Sequence, residues 1–211
     1  MNTRRMVIGG LGLAAVGGTL GYGLAPKSPS TTRQAESRFP DVPVQAHDGR
    51  QFRFYSDLVR GKVVAINMMY VQCEGSCPAM IANLRRLQSL LGERLGRDVF
   101  LYSISLQPAL DTTEVLKDYA ERQGARPGWL FLTGKEADIR RLRYGLGFYD
   151  PVPEVDDDLT SHIGMLRIGN DRTNRWTMAP ALCDAERIIA TINHVDTAMV
   201  ATAYQRATAP A

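Results

Sequence analysis

Cys73 and Cys77 lie four residues apart in the stretch Cys73-Glu74-Gly75-Ser76-Cys77-Pro78, and the chain holds one other cysteine, Cys183. Residues at i and i+4 share one face of a helix, so thiols at this spacing can converge on one point. Converging thiols can close a disulfide or hold a soft metal. The spacing is not the two-residue gap of thioredoxin-type redox motifs, nor that of a structural zinc site with a second cysteine pair. A third ligand would have to come from far along the chain. Of the three histidines, His162 is the candidate, in a loop just ahead of a strand pattern. Two sulfurs and one imidazole make a three-coordinate set. A closed structural zinc site wants four ligands, and an iron–sulfur cluster normally wants four cysteines. Soft thiolates also select Cu(I), and copper fits this short ligand list best. A plain structural disulfide is the alternative, although a bridge across so few residues closes too small a loop to stabilise much.

The elements around the motif place it. Val63 to Met69 is an almost unbroken apolar run, as in a strand buried on both faces. Cys77-Pro78 then opens a helix, with proline in the first turn where its missing N–H costs nothing. Met80, Leu84, Leu87 and Leu91 line its buried face. The thiols therefore sit at a helix start, where unpaired N–H groups should lower the pKa of at least one of them; Glu74 acts in the opposite direction. Asp48-Gly49 marks a hairpin between Val42–Val44 and Phe52–Phe54, with His47 as a solvated turn residue. Val99 to Leu106 is the next strand. Asp111-Thr112-Thr113-Glu114 reads as a capping box for a helix ending near Gly124. Trp129 to Leu132 is a strand, and Ile139, Leu142 and Leu146 mark a third helix. A Pro- and Asp-rich loop follows, with Asp156-Asp157-Asp158 as a solvated run. Ile163–Ile168 and Arg175–Met178 form a second hairpin, and Asp184 to Thr202 a closing helix. His194 on that helix reads as a surface residue, and Cys183 just before it as a half-buried bystander. The alternation of strands and helices predicts an α/β sandwich with helices on both faces of a central sheet. The cysteines then fall at the carboxyl end of a central strand, where open α/β sheets concentrate their sites.

The formal charge of +3 comes from the N-terminus: residues 1–30 hold Arg4, Arg5 and Lys27 and no acid, and the remainder is neutral. No basic stripe suits nucleic acid. Arg4-Arg5 precede an uncharged stretch from Met6 to Ala25 that includes seven glycines. This pattern reads as a signal or anchor segment over residues 1–25, with twin-arginine character and a poor cleavage site at Ala25-Pro26. An uncleaved anchor would place the domain on the outer, periplasmic face of the inner membrane. Residues 26–38 read as a flexible linker, 39–202 as the domain and 203–211 as a disordered tail. Outside the cytoplasm, free thiols tend to oxidise unless something keeps them reduced.

Tyr70-x-x-Cys73-x-x-x-Cys77-Pro78 with Leu84 resembles the signature of the SCO/SenC copper proteins. Gly61-Lys62-Val63-Val64, Ser103 to Pro108 with Asp111-Thr112, and Leu132-Thr133-Gly134 resemble that family's flanking stretches. His162 stands where the family has its distal histidine. The resemblance implies a thioredoxin-like fold with a mixed sheet, a membrane tether, and Cu(I)/Cu(II) bound by Cys73, Cys77 and His162. It also implies a client: the copper-centre subunit of a haem-copper oxidase or another cuproprotein, to which copper is delivered or whose thiols are kept reduced. Gln107 and Ser161 stand where the family usually has acids, a departure that bears on the partner more than on the metal. The reading from another class is an extracytoplasmic thiol–disulfide oxidoreductase or redox sensor that uses Cys73 and Cys77 without metal.

Overall fold

In the computed structural model, residues 38–196 are described. The anchor segment, nearly all of the linker, the tail and the far end of the expected last helix lie outside them. Among the described residues no helix is long and apolar enough to cross a membrane.

Seven strands form one mixed sheet: β1 (Pro43–Ala46), β2 (Gln51–Arg53), β3 (Val63–Met69), β4 (Val99–Ser105), β5 (Trp129–Thr133), β6 (Met165–Asn170) and β7 (Arg175–Pro180), in the order β2-β1-β5-β4-β3-β6-β7. Strands β3, β4 and β5 run parallel, and the others pair antiparallel. Every residue of β3 is buried, because helices cover both faces of the sheet there. Val63, Ala65 and Met69 face a core closed by α1 (Cys77–Leu91), α2 (Thr113–Arg122) and α5 (Ala185–Val195). Val64, Ile66 and Met68 face a second core closed by α3 (Glu136–Leu146) and a π-helical turn, Phe54–Val59. Strands β3 and β4 end level, Met69 opposite Ser105, and Leu106 N–H donates to Met69 C=O at 2.8 Å. The loops after β3 and β4 therefore meet at one edge of the sheet.

Three local expectations are corrected. The cap of α2 is Thr112, whose hydroxyl accepts from Val115 N–H, and not Asp111, whose carboxylate is buried elsewhere. The last helix stops at Val195. Its end is pinned from the side: Asn170 Nδ2 donates to Val195 C=O at 3.2 Å, and Arg94 bonds Asn193 and Asp196. His47 is half-buried, with Phe131 N–H donating to its Nδ1 at 3.2 Å, so it extends the β1–β5 ladder instead of facing water.

Candidate metal and thiol site

Cys77 is the first residue of α1, and Cys73 lies in the loop between β3 and α1; both are buried free thiols. The two thiols are near enough for each to shift the ionisation of the other. Their environments split them. Burial pushes the Cys73 thiol up, but the Cys77 thiol, the N–H groups of Cys77 and Gly75, and the Tyr70 hydroxyl all bond its sulfur, and together they bring it below the ordinary cysteine value. Cys77 is pushed up to about 12, first by burial and then by its bond to Cys73. One thiol is lowered, as the sequence predicts, and it is Cys73. At Cys77, the residue at the helix start, burial outweighs the lowering influence of the Tyr70 backbone.

A buried polar floor lies behind the loop. Asp111 is fully buried; its carboxylate accepts from Ser105 Oγ at 2.5 Å and from Val71 N–H at 3.2 Å. It thereby ties the loop that carries Cys73 to the end of β4. Ser103 Oγ donates to Asn67 Oδ1 at 2.8 Å and accepts from Trp129 Nε1 at 3.0 Å, joining β3, β4 and β5 beneath the helix. Each of these groups is satisfied, as a buried polar network must be if it is to hold a loop in one place. Glu74 is exposed.

His162 ends a 3-10 turn, Leu159–His162, between α4 (Pro153–Asp156) and β6. Its side chain is 2% exposed. Arg143 Nη1 on α3 lies 2.5 Å from its Nε2 and 3.2 Å from its Nδ1, and Nε2 lies 2.8 Å from Asp156 C=O. Arg143 is in turn held by both carboxylate oxygens of Asp156, at 2.6 and 2.8 Å. Asp156 also accepts from Asp150 N–H at 2.9 Å and from the Tyr144 hydroxyl. Gly147, at φ 85°, ends α3 in the left-handed conformation and turns the chain back toward Arg143. Asp156 is therefore not part of a solvated run, as its sequence context suggested; only Asp157 and Asp158 are exposed. Among the described residues, no group of three or more His, Cys, Asp or Glu side chains is arranged to hold a metal ion. The structure brings the two thiols together and does not bring the imidazole to them. Cys183 is half-buried and His194 exposed, as expected.

Sequence reasoning missed Asp111, Arg143, Asp156 and Tyr144. Arg143 carried a signal: it lies four residues beyond Ile139, on the flank of the buried face of α3, where a solvated arginine is out of place. Asp111 carried none beyond its place beside a better cap.

A profile of the SCO1/SenC family matches residues 39–196. A protein of Stutzerimonas stutzeri, provisionally named as copper-binding, is 29% identical over 117 residues, 54% of this chain and 56% of its own. An SCO2-like protein of Rickettsia prowazekii is 30% identical over 106 residues, half of each chain. The chain spans about half the length of the curated relatives it matches. Among solved structures, a SCO1/SenC family lipoprotein from Bacillus anthracis superposes with a TM-score of 0.59 at 22% identity, covering 75% of this chain and 94% of that one. The copper-bound ScoI of Bradyrhizobium japonicum superposes at 0.56 and 19% identity, covering 72% of this chain and 96% of that one. The shared fold is thioredoxin-like, a mixed central sheet with helices on both faces.

Proposed function

Because this chain belongs to the SCO1/SenC family, we propose that it carries copper as cargo through Cys73, Cys77 and His162. It would deliver that copper to the copper centre of a haem-copper oxidase or another cuproprotein, or keep that centre's cysteines reduced. The observation that carries the reading is the closeness of two thiols of which one, Cys73, is biased toward thiolate. Thiolate is the form that binds metal, and two adjacent sulfurs suit a soft monovalent ion. The copper-binding name of the Stutzerimonas relative and the copper-bound family structures support the same cargo. The thiol half of the donor set fits copper as it stands; the imidazole half fits in residue type and needs to move. Tethering by residues 1–25 at the outer face of the inner membrane belongs to this proposal.

The test is to reduce the full chain, add Cu(I), and measure stoichiometry and affinity by competition with a chromophoric chelator. A single tightly held copper, lost in Cys73→Ser and in Cys77→Ser, is expected. Tight binding that survives the loss of both thiols refutes the reading. Oxidised protein should take up no Cu(I), since disulfide and metal need the same sulfurs.

The split between the thiols also favours a second reading, thiol–disulfide exchange without metal. The Cys73 thiolate would attack a client disulfide and expel one client thiolate. Cys77, having lost its proton, would then attack Cys73 and release the second, leaving the client reduced and this chain oxidised. A mixed disulfide trapped in Cys77→Ser supports it; failure to reduce any model disulfide counts against it.

A further inference from the structure

We propose that Arg143 and Asp156 hold His162 in a stowed position, and that copper uptake requires its release. The inference rests on the copper-binding reading above and assigns two positioning residues to it. The imidazole has two tautomers, and each leaves one ring nitrogen with a free lone pair, the one a metal needs. If Nδ1 carries the proton, the lone pair is on Nε2, where the Asp156 carbonyl oxygen lies 2.8 Å away and Arg143 Nη1 2.5 Å away. If Nε2 carries the proton, it donates to Asp156 C=O at 2.8 Å and Nδ1 keeps its lone pair; Arg143 Nη1, 2.5 Å from Nε2 and 3.2 Å from Nδ1, packs against the ring and does not lie along that lone pair. In either case the ring is shut in: its side chain is 2% exposed, with Arg143 Nη1 against it and Asp156 C=O at Nε2. A guanidinium stays protonated in proteins and so cannot be displaced by losing its proton; a buried ring nitrogen reaches a metal only when the ring or Arg143 moves.

Arg143 is itself held. Its two terminal nitrogens bond the two oxygens of Asp156, a bidentate pair whose planar geometry a lysine could not reproduce. Asp156 is steadied by Asp150 N–H and by the Tyr144 hydroxyl. A cleft of about 170 Å³ adjoins the pair, lined by Leu106, Pro108, Arg140 and Leu159 together with Arg143 and Asp156. It offers the guanidinium room to move aside. If the released state is a minor one, the stowed state lowers apparent copper affinity by the fraction that is competent.

Two readouts on the full chain test this, the first without copper. In metal-free protein, acylation by diethyl pyrocarbonate at His162, followed by peptide mass, should be much slower than at exposed His194. In Arg143→Met it should rise toward the His194 rate. Should that variant fail to fold, Tyr144→Phe, which removes only an exposed hydroxyl from the clamp, should shift the rate in the same direction by less. The second readout is Cu(I) affinity. Arg143→Met should bind roughly tenfold tighter than wild type, as expected if about one molecule in ten is released at rest. The gain should vanish in the His162→Ala background. The proposal is overturned if His162 reacts as fast as His194 in wild type. It is also overturned if neither variant changes the His162 rate, or if an affinity gain persists without His162. Should no version of the chain bind copper, the function proposed above fails, and the acylation rates still decide whether the histidine is stowed.

Discussion

Cys73 and Cys77 sit where two regular elements meet, and His162 sits in a short turn between irregular segments. The thiols are placed by the backbone: β3 delivers them to the sheet edge, α1 starts on Cys77, and N–H groups of the loop bond the Cys73 sulfur. The imidazole is placed across an irregular loop, by Asp156 C=O and by the guanidinium of Arg143 that the Asp156 carboxylate holds. Placement by regular elements survives most substitutions outside the loop, whereas placement that leans on one arginine can be undone by a single one. The proposed donor set would then have one fixed half and one movable half. Such a division would suit the proposed copper carrier, since a fully assembled site would release its cargo slowly.

The contrast is sharpest in copper binding itself. Cys73→Ser should weaken Cu(I) binding by about a thousandfold or more, some 4 kcal/mol, while His162→Ala costs far less. Equal losses from the two, measured by chelator competition, would erase the distinction between a fixed and a movable half. Within the fixed half, the thiols should differ. In reduced, metal-free protein near neutral pH, Cys73 should be alkylated by iodoacetamide roughly tenfold or more faster than Cys77, because only the thiolate reacts. Its rate should level off below the ordinary cysteine value, and that of Cys77 should still climb there. Preferential modification of Cys77 would reverse the assignment.

Acid should loosen the two regions unequally. The Arg143 guanidinium beside Asp156 holds its carboxyl well below the usual range. Its contribution to stability is therefore complete above the unfolded value near 3.8 and is lost as pH falls through the lower folded value. Asp111 has the opposite sign. Burial raises it, against the bonds from Ser105 and Val71, so its contribution is complete below 3.8 and fades as pH rises through the raised value. Amide protection factors in Leu159–His162 should fall on acidification before those around Val71 do. A simultaneous loss would mean that the two regions open as one. The smallest effect belongs to Cys183→Ser, which should leave copper stoichiometry and affinity unchanged and cost about 1 kcal/mol of stability or less. Loss of copper in that variant would add a ligand to the set.

The same division governs what the sequence disclosed. The fixed half was legible because regular elements announce themselves: the apolar run of Val63 to Met69, the Cys77-Pro78 helix start and the heptad-like Met80, Leu84, Leu87 and Leu91 all appear where expected. The parallel pairing of β3, β4 and β5 follows from the alternation of strands and helices. His162 was identified as a candidate ligand, but its surroundings were not. Its contacts join residues 13 and 19 positions apart, across an irregular loop with no periodicity to read. Asp156 resembled its exposed neighbours, and only the arginine opposite it sets it apart. Asp111 was misread because Asp and Thr are both good caps and the adjacent residue took the role.

The most direct test is copper K-edge X-ray absorption on the full chain loaded with one equivalent of Cu(I), in wild type and in His162→Ala. Two sulfur neighbours and one imidazole nitrogen are expected in wild type, with the imidazole outer-shell scattering lost in the variant while both sulfurs remain. Identical spectra for the two proteins would contradict the account, because His162 would then never leave Arg143 to join the thiols.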